Sequence, residues 1–403
     1  MRHEEQVRLI KQLETHLDAG TNVDAGGLML NPTSVYMDPE LAEREWDEFF
    51  VHHPQIVGLS GDLAAPGSFM TIDDLGVPIL ATRDNEGRFH AFVNACRHRG
   101  ALVENRERGD DATSFSCPFH NWTYSLEGTL IGLTKGDHFG DVDTACRGLV
   151  ELPAAERHGI LWLHPDPAGT IDVDALLGDE LSDEFESWNF DSLRYLGGDT
   201  YDVACNWKLA MDTFGETYHF PVLHSNSLNL TFHGNVQCYD TFGRNHRMLL
   251  CRREIDGMLK LPENEWRVTT AGLPAYWLFP NVQLLPSEFG AFLVRAYPTP
   301  GQAGRHVSRI SFYVWPETEA GSSAETVVRT ISEVFASIIR DEDYVVAASQ
   351  QRSADAGSLE HVLFGRNEPA LHHYHSTYRA ALGMPPLPLL ADHDVADAAL
   401  AGR

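Results

Sequence analysis

Four residues of this 403-residue chain have the types and spacing to hold a metal: Cys96 and His98, then, after eighteen residues, Cys117 and His120. A structural zinc ion accepts the same donors, and unrelated buried Cys and His would also supply them. Zinc fingers, however, usually take two Cys from one segment and two His from the other, whereas here each segment offers one of each. That arrangement suits a mixed-ligand [2Fe-2S] cluster, in which two thiolates hold one iron and two imidazoles the other. Neutral imidazoles leave such a cluster less negative than an all-thiolate one, which raises its potential and fits it to accept electrons. Arg97, Arg99, Arg106 and Arg108 crowd the same region. They are either solvated side chains or a docking patch for an acidic electron donor.

A second group runs from Asn206-Trp207-Lys208 to His224. The spacing predicts a helix over 207–219, on which Asp212, Glu216 and His219 fall at i, i+4 and i+7 and share a stripe with Leu209. Inward polar groups need partners or a metal. Pro221 ends the predicted helix and lets His224 turn back towards His219. Two imidazoles and a carboxylate on one face of an iron leave positions open for dioxygen and substrate.

Several elements must position these groups. Residues 1–20 and 37–50 read as amphipathic helices, the second started by Asp38-Pro39. From about Gln55 to Pro165 short Val, Ile, Phe and Thr runs are broken by turn signals at 84–87 and 127–128, which predicts a small all-β domain. Residues 165–169 look like its exit linker. Beyond it, antiparallel strands are predicted around 248–252, 276–285, 292–296 and 307–314. A long helix is predicted over 325–351 with Val327, Ile331, Val334, Ile338 and Val345 on its apolar stripe. The fold class is α+β. No repeat is evident, and an Ala/Asp-rich tail follows Leu390.

Composition narrows the partners. Thirty Lys and Arg against 58 Asp and Glu give a formal charge of −28, which argues against nucleic acid or an anionic membrane as partner. Hydrophobic residues at 43 % and aromatics at 10 % suffice for a sizeable core. No apolar run is long enough to span a membrane and the N-terminus lacks a signal-peptide core, so the expected location is cytoplasmic. Six scattered cysteines do not make a disulfide scaffold, and Cys205 reads as a small buried thiol. His372, His373 and His375 read as a solvated helix face, and Tyr276-Trp277-Leu278-Phe279-Pro280-Asn281 as core.

The segments Asn94-Ala95-Cys96-Arg97-His98-Arg99-Gly100-Ala101 and Cys117-Pro118-Phe119-His120-Asn121-Trp122-Thr123-Tyr124 resemble the two cluster loops of Rieske non-haem iron oxygenase α subunits, the aromatic-ring-hydroxylating dioxygenase family. The resemblance runs from about Tyr36 to the final helices. Two departures stand out: Asn121 where the family usually has Gly, and a slightly longer gap between loops near Gly109-Asp110-Asp111. The fold implied is a small all-β Rieske domain (51–165) inserted in a helix-grip, START-like catalytic domain with an antiparallel sheet (166–403). The N-terminal helices (1–50) would pack on the catalytic domain.

The resemblance further implies that Cys96, His98, Cys117 and His120 bind a [2Fe-2S] Rieske cluster and that His219 and His224 bind a mononuclear Fe(II). The family's third ligand lies in an E-D pair followed by Q-R, which Glu342-Asp343 and Gln351-Arg352 match, so Asp343 is expected. Helical phase instead puts Glu342 nearest the centre of the apolar stripe, with Asp341 and Asp343 on its flanks. Glu216 takes the position that bridges the iron to a cluster-binding His of a neighbouring subunit, and Asp212 one often filled by Asn.

A head-to-tail homotrimer is implied, with a β subunit as an option. No Gly-rich nucleotide motif is evident, so NAD(P)H would act through a separate reductase, with or without a ferredoxin. O2 would be the co-substrate, in hydroxylation, dihydroxylation or oxidative demethylation of a small aromatic or quaternary-ammonium compound. The acidic charge suits a cationic substrate, or equally a saline habitat. A different class of reading is a Rieske electron carrier fused to a non-catalytic ligand-binding domain, against which His219 and His224 argue.

Overall fold

The computed structural model describes residues 1–391; the Ala/Asp-rich tail lies, from residue 392 onward, outside the described residues. Its largest element is a seven-stranded antiparallel sheet in the order Arg194–Val203, Gln302–Val314, Gly290–Thr299, Val282–Pro286, Gly272–Leu278, Asn245–Arg252, Phe232–Phe242. The central strands Gly272–Leu278 and Val282–Pro286 are buried at every residue, because both faces of the sheet are covered. On one face Leu273, Ala275 and Leu285 pack with Leu209 and Met211 of the helix Trp207–Asp212 and with Ala336, Ile339 and Ala347 from the long helical segment. On the other, Tyr276, Leu278 and Leu284 meet Leu181 and Phe185 of the helix Asp179–Glu186. The N-terminal helix His3–Ala19 lies against Phe232–Phe242 at the sheet edge, burying Leu9, Ile10 and Leu13.

The β-rich segment forms a five-stranded sheet and two three-stranded ones between Gln55–Leu59 and Ile160–Leu163. One small sheet, Phe115–Ser116, Thr123–Tyr124 and Leu130–Gly132, supports the second Cys/His loop. The expected hairpins stand at 84–87 and 127–128, between Ile79–Arg83 and Phe89–Val93 and between Thr123–Tyr124 and Leu130–Gly132. Asp38 caps the helix Pro39–Glu45 through bonds from Glu40 N and Leu41 N.

The long helix departs from expectation in two ways. It is interrupted by a π-turn, Ile339–Asp343, between Ser323–Ile338 and Tyr344–Asp355. Moreover, Val327, Ile331, Val334 and Val345 are exposed, while Val328, Ser332 and Ala336 face the sheet. Small residues on the inner face let the helix lie close on the strands, so residue size overrode apolar periodicity here.

A buried ion pair ties the distant segments together. Lys208 Nζ lies 2.6 and 2.8 Å from the two oxygens of Glu45, which also accepts from Trp207 Nε1 at 2.8 Å and from the Tyr378 hydroxyl. Both charged side chains are essentially inaccessible. Removing one partner of such a pair strands the other charge, at a cost of about 3–5 kcal/mol. Lys208→Met should therefore lower stability by about 3 kcal/mol in urea unfolding, and Glu45→Gln added to it should recover part of the loss. A double variant as unstable as the sum of the singles would contradict this coupling.

Candidate metal centres

The two Cys/His loops are built alike. Cys96 N donates to Ala101 O and Gly100 N to Cys96 O; in the second loop Cys117 N donates to Trp122 O and Asn121 N to Cys117 O, all at 2.8–2.9 Å. The fifth residue of each turn must be left-handed, and Gly100 (φ 80°) and Asn121 (φ 59°) both are. Asn, which tolerates this region better than most residues, thus performs the turn that the family usually gives to Gly.

The turns bury both thiols within hydrogen-bonding reach of each other and bring the rings of His98 and His120 to 4.6 Å between centroids. Trp122 stacks on His98, and the Tyr124 hydroxyl lies 3.3 Å from Cys96 Sγ. Nδ1 of His98 and Nδ1 of His120 are buried without any partner. Burial pushes the Cys117 thiol up, so a cation is needed to hold it as thiolate. Among the described residues the donor groups gathered within 4.8 Å are His219, His224 and Asp343, and the carboxylates Asp84, Glu86 and Glu127. The four loop donors are spread more widely, as two irons require and one zinc ion does not. Of the four nearby arginines, Arg106 is paired with Glu104 and Arg108 with Asp62. Arg97 and Arg99 remain at the exposed tip, Arg99 over the Phe119 ring.

The second centre is assembled differently from the expected stripe. The helix stops at Asp212, and Glu216 to His224 follow in successive turns. Asn206 caps this helix through Lys208 N, and Gln351 Oε1 accepts from Asn206 N at 2.9 Å. Nε2 of His219 and Nε2 of His224 face each other at 3.1 Å, with Asp343 Oδ1 at 3.5 and 3.3 Å. The π-turn inserts one extra residue per turn and so rotates Asp343 inward, which is why helical phase favoured Glu342. Glu342 instead accepts from His224 Nδ1 at 2.7 Å and from Ser227 Oγ at 2.8 Å, fixing that ring with Nε2 inward. Asp341 is exposed and paired with Arg340. Glu216 grips His219 Nδ1 and also accepts from His219 N at 3.1 Å.

Asp212 lies behind this group rather than in it: its carboxylate accepts from Tyr36 Oη at 2.7 Å and meets His375 Nε2 at 2.8 Å. His375 is fully buried and His372 nearly so, which corrects the reading of the His cluster as solvated. The cause is the short helix Pro369–Ala381, which packs both faces into the core. Asn31 and Tyr36 were not singled out as site residues, and His375 only as part of a solvated face, since lone polar residues in separate segments carry no spacing signal. Nor was Glu368, a half-buried carboxyl raised to about 7 by desolvation first and by the charges of Glu216 and Asp212. Cys205 is buried as expected, and Trp277 belongs to the core, stacked on His246.

These geometries offer two candidate metal centres, one of two Cys and two His on a β domain and one of two His and an Asp under a sheet. Two family profiles match accordingly: the Rieske [2Fe-2S] domain at residues 53–140 and the catalytic domain of ring-hydroxylating α subunits at residues 190–384. The chain belongs to the Rieske non-haem iron oxygenase α subunits, which carry a Rieske cluster and a mononuclear iron. It is 32 % identical over 201 residues to the glycine betaine monooxygenase oxygenase subunit of Chromohalobacter salexigens, covering 49 % of this chain. The match spans 44 % of that relative, less than half its length. In fold it resembles a quaternary ammonium Rieske monooxygenase, CntA, described for carnitine oxidation by gut microbiota and inter-subunit electron transfer (TM-score 0.73, 19 % identity, 89 % of this chain and 95 % of that one). It also resembles naphthalene 1,2-dioxygenase from Rhodococcus sp. (TM-score 0.71, 18 % identity, 93 % and 98 %).

Burial disfavours the imidazolium of His219, but hydrogen bonds and charge from Asp343 and Glu216 outweigh it and lift the group to about 9 in the metal-free protein. His224 is raised in the same sense. A metal binds the neutral ring, so loading at pH 7 must displace protons and affinity should rise as pH climbs towards about 9. Calorimetric titration of metal-free protein in buffers of different ionisation enthalpy measures this release; heats independent of buffer would contradict it.

Proposed function

We propose that the chain is the terminal oxygenase component of a multi-component system, acting on a small organic substrate of quaternary-ammonium or aromatic type by hydroxylation, dihydroxylation or oxidative demethylation. The observation that carries this reading is the inward convergence of His219, His224 and Asp343, with Glu216 gripping the outer nitrogen of His219. When bound there, iron would activate O2, using electrons delivered through the cluster held by Cys96, His98, Cys117 and His120 from a separate reductase, directly or through a ferredoxin, and ultimately from NAD(P)H. In this reading residues 51–165 carry the cluster, and residues 166–403, with 1–50 packed on them, carry the iron.

The chain's own residues prepare the site. Glu342 and Glu216 hold the outer nitrogens of the two imidazoles, so both Nε2 lone pairs point to one place. Phe214, Phe220, Phe232 and Phe335 line the cavity and exclude water. Phe119, Ile131 and Phe139 are exposed on the cluster domain, and Tyr218, Val222 and Leu230 beside the iron turns, Val222 at 82 %. Exposed apolar side chains on both sides favour a neighbouring copy, with Glu216 linking His219 to a cluster ligand of that neighbour in a closed homotrimer; a β subunit fits the same reading. Arg97 and Arg99 suit an acidic electron donor. None of the helices in the described residues is long and apolar enough to cross a membrane, and six free cysteines suit a reducing cytoplasm. The names of the relatives support quaternary-ammonium substrates first and aromatic catabolism second.

The rival reading, an electron carrier fused to a ligand-binding domain, is separated by metal analysis. The oxygenase should hold about three irons per chain and Asp343→Ala about two, while a carrier would hold about two in both. Glu216→Gln keeps the shape but loses the charge, and should retain all of the iron with near-silent turnover. Normal product formation by that variant would sink the bridging role.

A further inference from the structure

Three cavities border the proposed iron site; one of them, about 200 Å³, lies behind it on the side of Asp212 and Glu368 and shares Glu216, His219 and Asp343 with the innermost one. The inner one, about 40 Å³, is lined by His219, His224, Asp343 and Glu216. The outer one, about 370 Å³, shares Leu228, Phe232, Leu273 and Phe335 with it. The inner space holds little more than one water molecule, whose share of liquid volume is about 30 Å³. A substrate of more than a few atoms must extend beyond the inner space, and the outer cavity, larger and more apolar than the one lined by Asp212 and Glu368, falls within the roughly 300–1,000 Å³ usual for small-molecule sites.

Among the described residues one charged side chain lines the outer cavity, Arg252. Its guanidinium lies 5.6 Å from the centre of the Phe232 ring, and its side chain is only 14 % exposed. The closest ion-pair contact it makes is 4.0 Å, from Nη1 to Glu288 Oε1, and its Nε is buried with no partner. Other buried arginines of this acidic chain have close partners for their terminal nitrogens: Arg247 contacts Glu5, Glu184 and Asp240, Arg83 contacts Glu156, and Arg295 donates to Val57 O and Ser311 Oγ, although Nε of Arg247 and of Arg295 is also unpaired among the described residues. A desolvated cation with unused donors is costly until an anion completes it. Among the described residues no carboxylate lines the outer cavity, and those of the inner one are held by the two imidazoles.

Deeper in, Gln283 is fully buried on the inner cavity wall, and neither its amide nitrogen nor its oxygen has a partner. Two side chains that line the site thus have unmet hydrogen-bonding capacity, one of them cationic.

We infer that the substrate is an organic carboxylate, or a zwitterion bearing one. Its carboxylate accepts from the Arg252 guanidinium in the outer cavity, its apolar body lies between Phe232 and Phe335, and its reacting end enters the inner cavity beside Gln283. This inference rests on the reading of His219, His224 and Asp343 as the iron site. A cation without an acid group, of the choline type, would meet Arg252 with only Glu288, at 4.0 Å and outside the cavity lining, to offset the like charge.

The test uses the cluster- and iron-loaded protein without reductant, so that binding is read apart from turnover. Calorimetric titration with benzoate, phenylacetate and glycine betaine, each beside its uncharged or acid-free counterpart (benzamide, phenylacetamide, choline), should show at least one acid binding about tenfold or more tightly than its counterpart, as a charge-assisted pair provides. Arg252→Gln should abolish that preference while leaving amide binding within about twofold, and Arg252→Lys should retain part of it. Unchanged thermal unfolding of both variants certifies their folding. Equal binding of acid and counterpart, full acid binding by Arg252→Gln, or no binding of any acid overturns the inference. Substrate-dependent oxygen uptake with a reductase is the separate arm. Arg252-dependent acid binding without oxygen uptake would refute the oxygenase reading alone, whereas oxygen uptake without acid binding would refute this inference alone.

Discussion

The structure is organised around an electrostatic conflict: two imidazole nitrogens 3.1 Å apart with a buried carboxylate beside them, under a sheet. Without a cation the site can only borrow protons, which is why His219 and His224 are both raised while burial opposes their charge. A metal ion resolves the conflict, because it accepts the inward lone pairs and neutralises the carboxylate together. The outer carboxylates, Glu216 and Glu342, make sense only in that setting, since each fixes which nitrogen of its histidine points inward.

Holding that arrangement requires segments that are far apart in the chain to be locked in register. Buried polar links do this where apolar packing alone would leave freedom. Glu45 anchors Lys208 and Tyr378, Gln351 anchors Asn206, and Asp212 joins Tyr36 to His375. Each link connects the helix Trp207–Asp212, which leads into the turns that carry the histidines, to an N-terminal helix, to the helix behind Asp343, or to the final helix. Low dielectric makes such links strong when complete and expensive when broken.

The cluster loops and the two histidines of the second centre were legible in the sequence because their spacing is short and local. So were three strands of the large sheet and the start of the helix at Asp38, whereas the stretch 276–285 is two strands, Gly272–Leu278 and Val282–Pro286, and Arg194–Val203 and Phe232–Phe242 were not anticipated. Legibility failed where packing overrode period. The predicted helix over 207–219 ends at Asp212, and the apolar stripe through Val327 and Ile331 faces outward while Ser332 and Ala336 face in. The third carboxylate was ambiguous for the same reason, since a π-turn rotates Asp343 inward and no periodic pattern encodes it. His375 and Asp212 form a contact across 163 residues of sequence, which spacing cannot reveal.

In the proposed trimer the cluster of one chain serves the iron of its neighbour through Glu216. Mixed trimers test it most directly: a chain with Cys96→Ala, which lacks the cluster, is co-assembled with a chain carrying Asp343→Ala, which lacks the iron. Each variant alone should form no product. Random mixing places a working cluster before a working iron at about a quarter of the interfaces of a closed ring, so product formation should recover to about a quarter of the unaltered rate. No recovery, in mixtures shown by mass to contain both chains, would contradict the account.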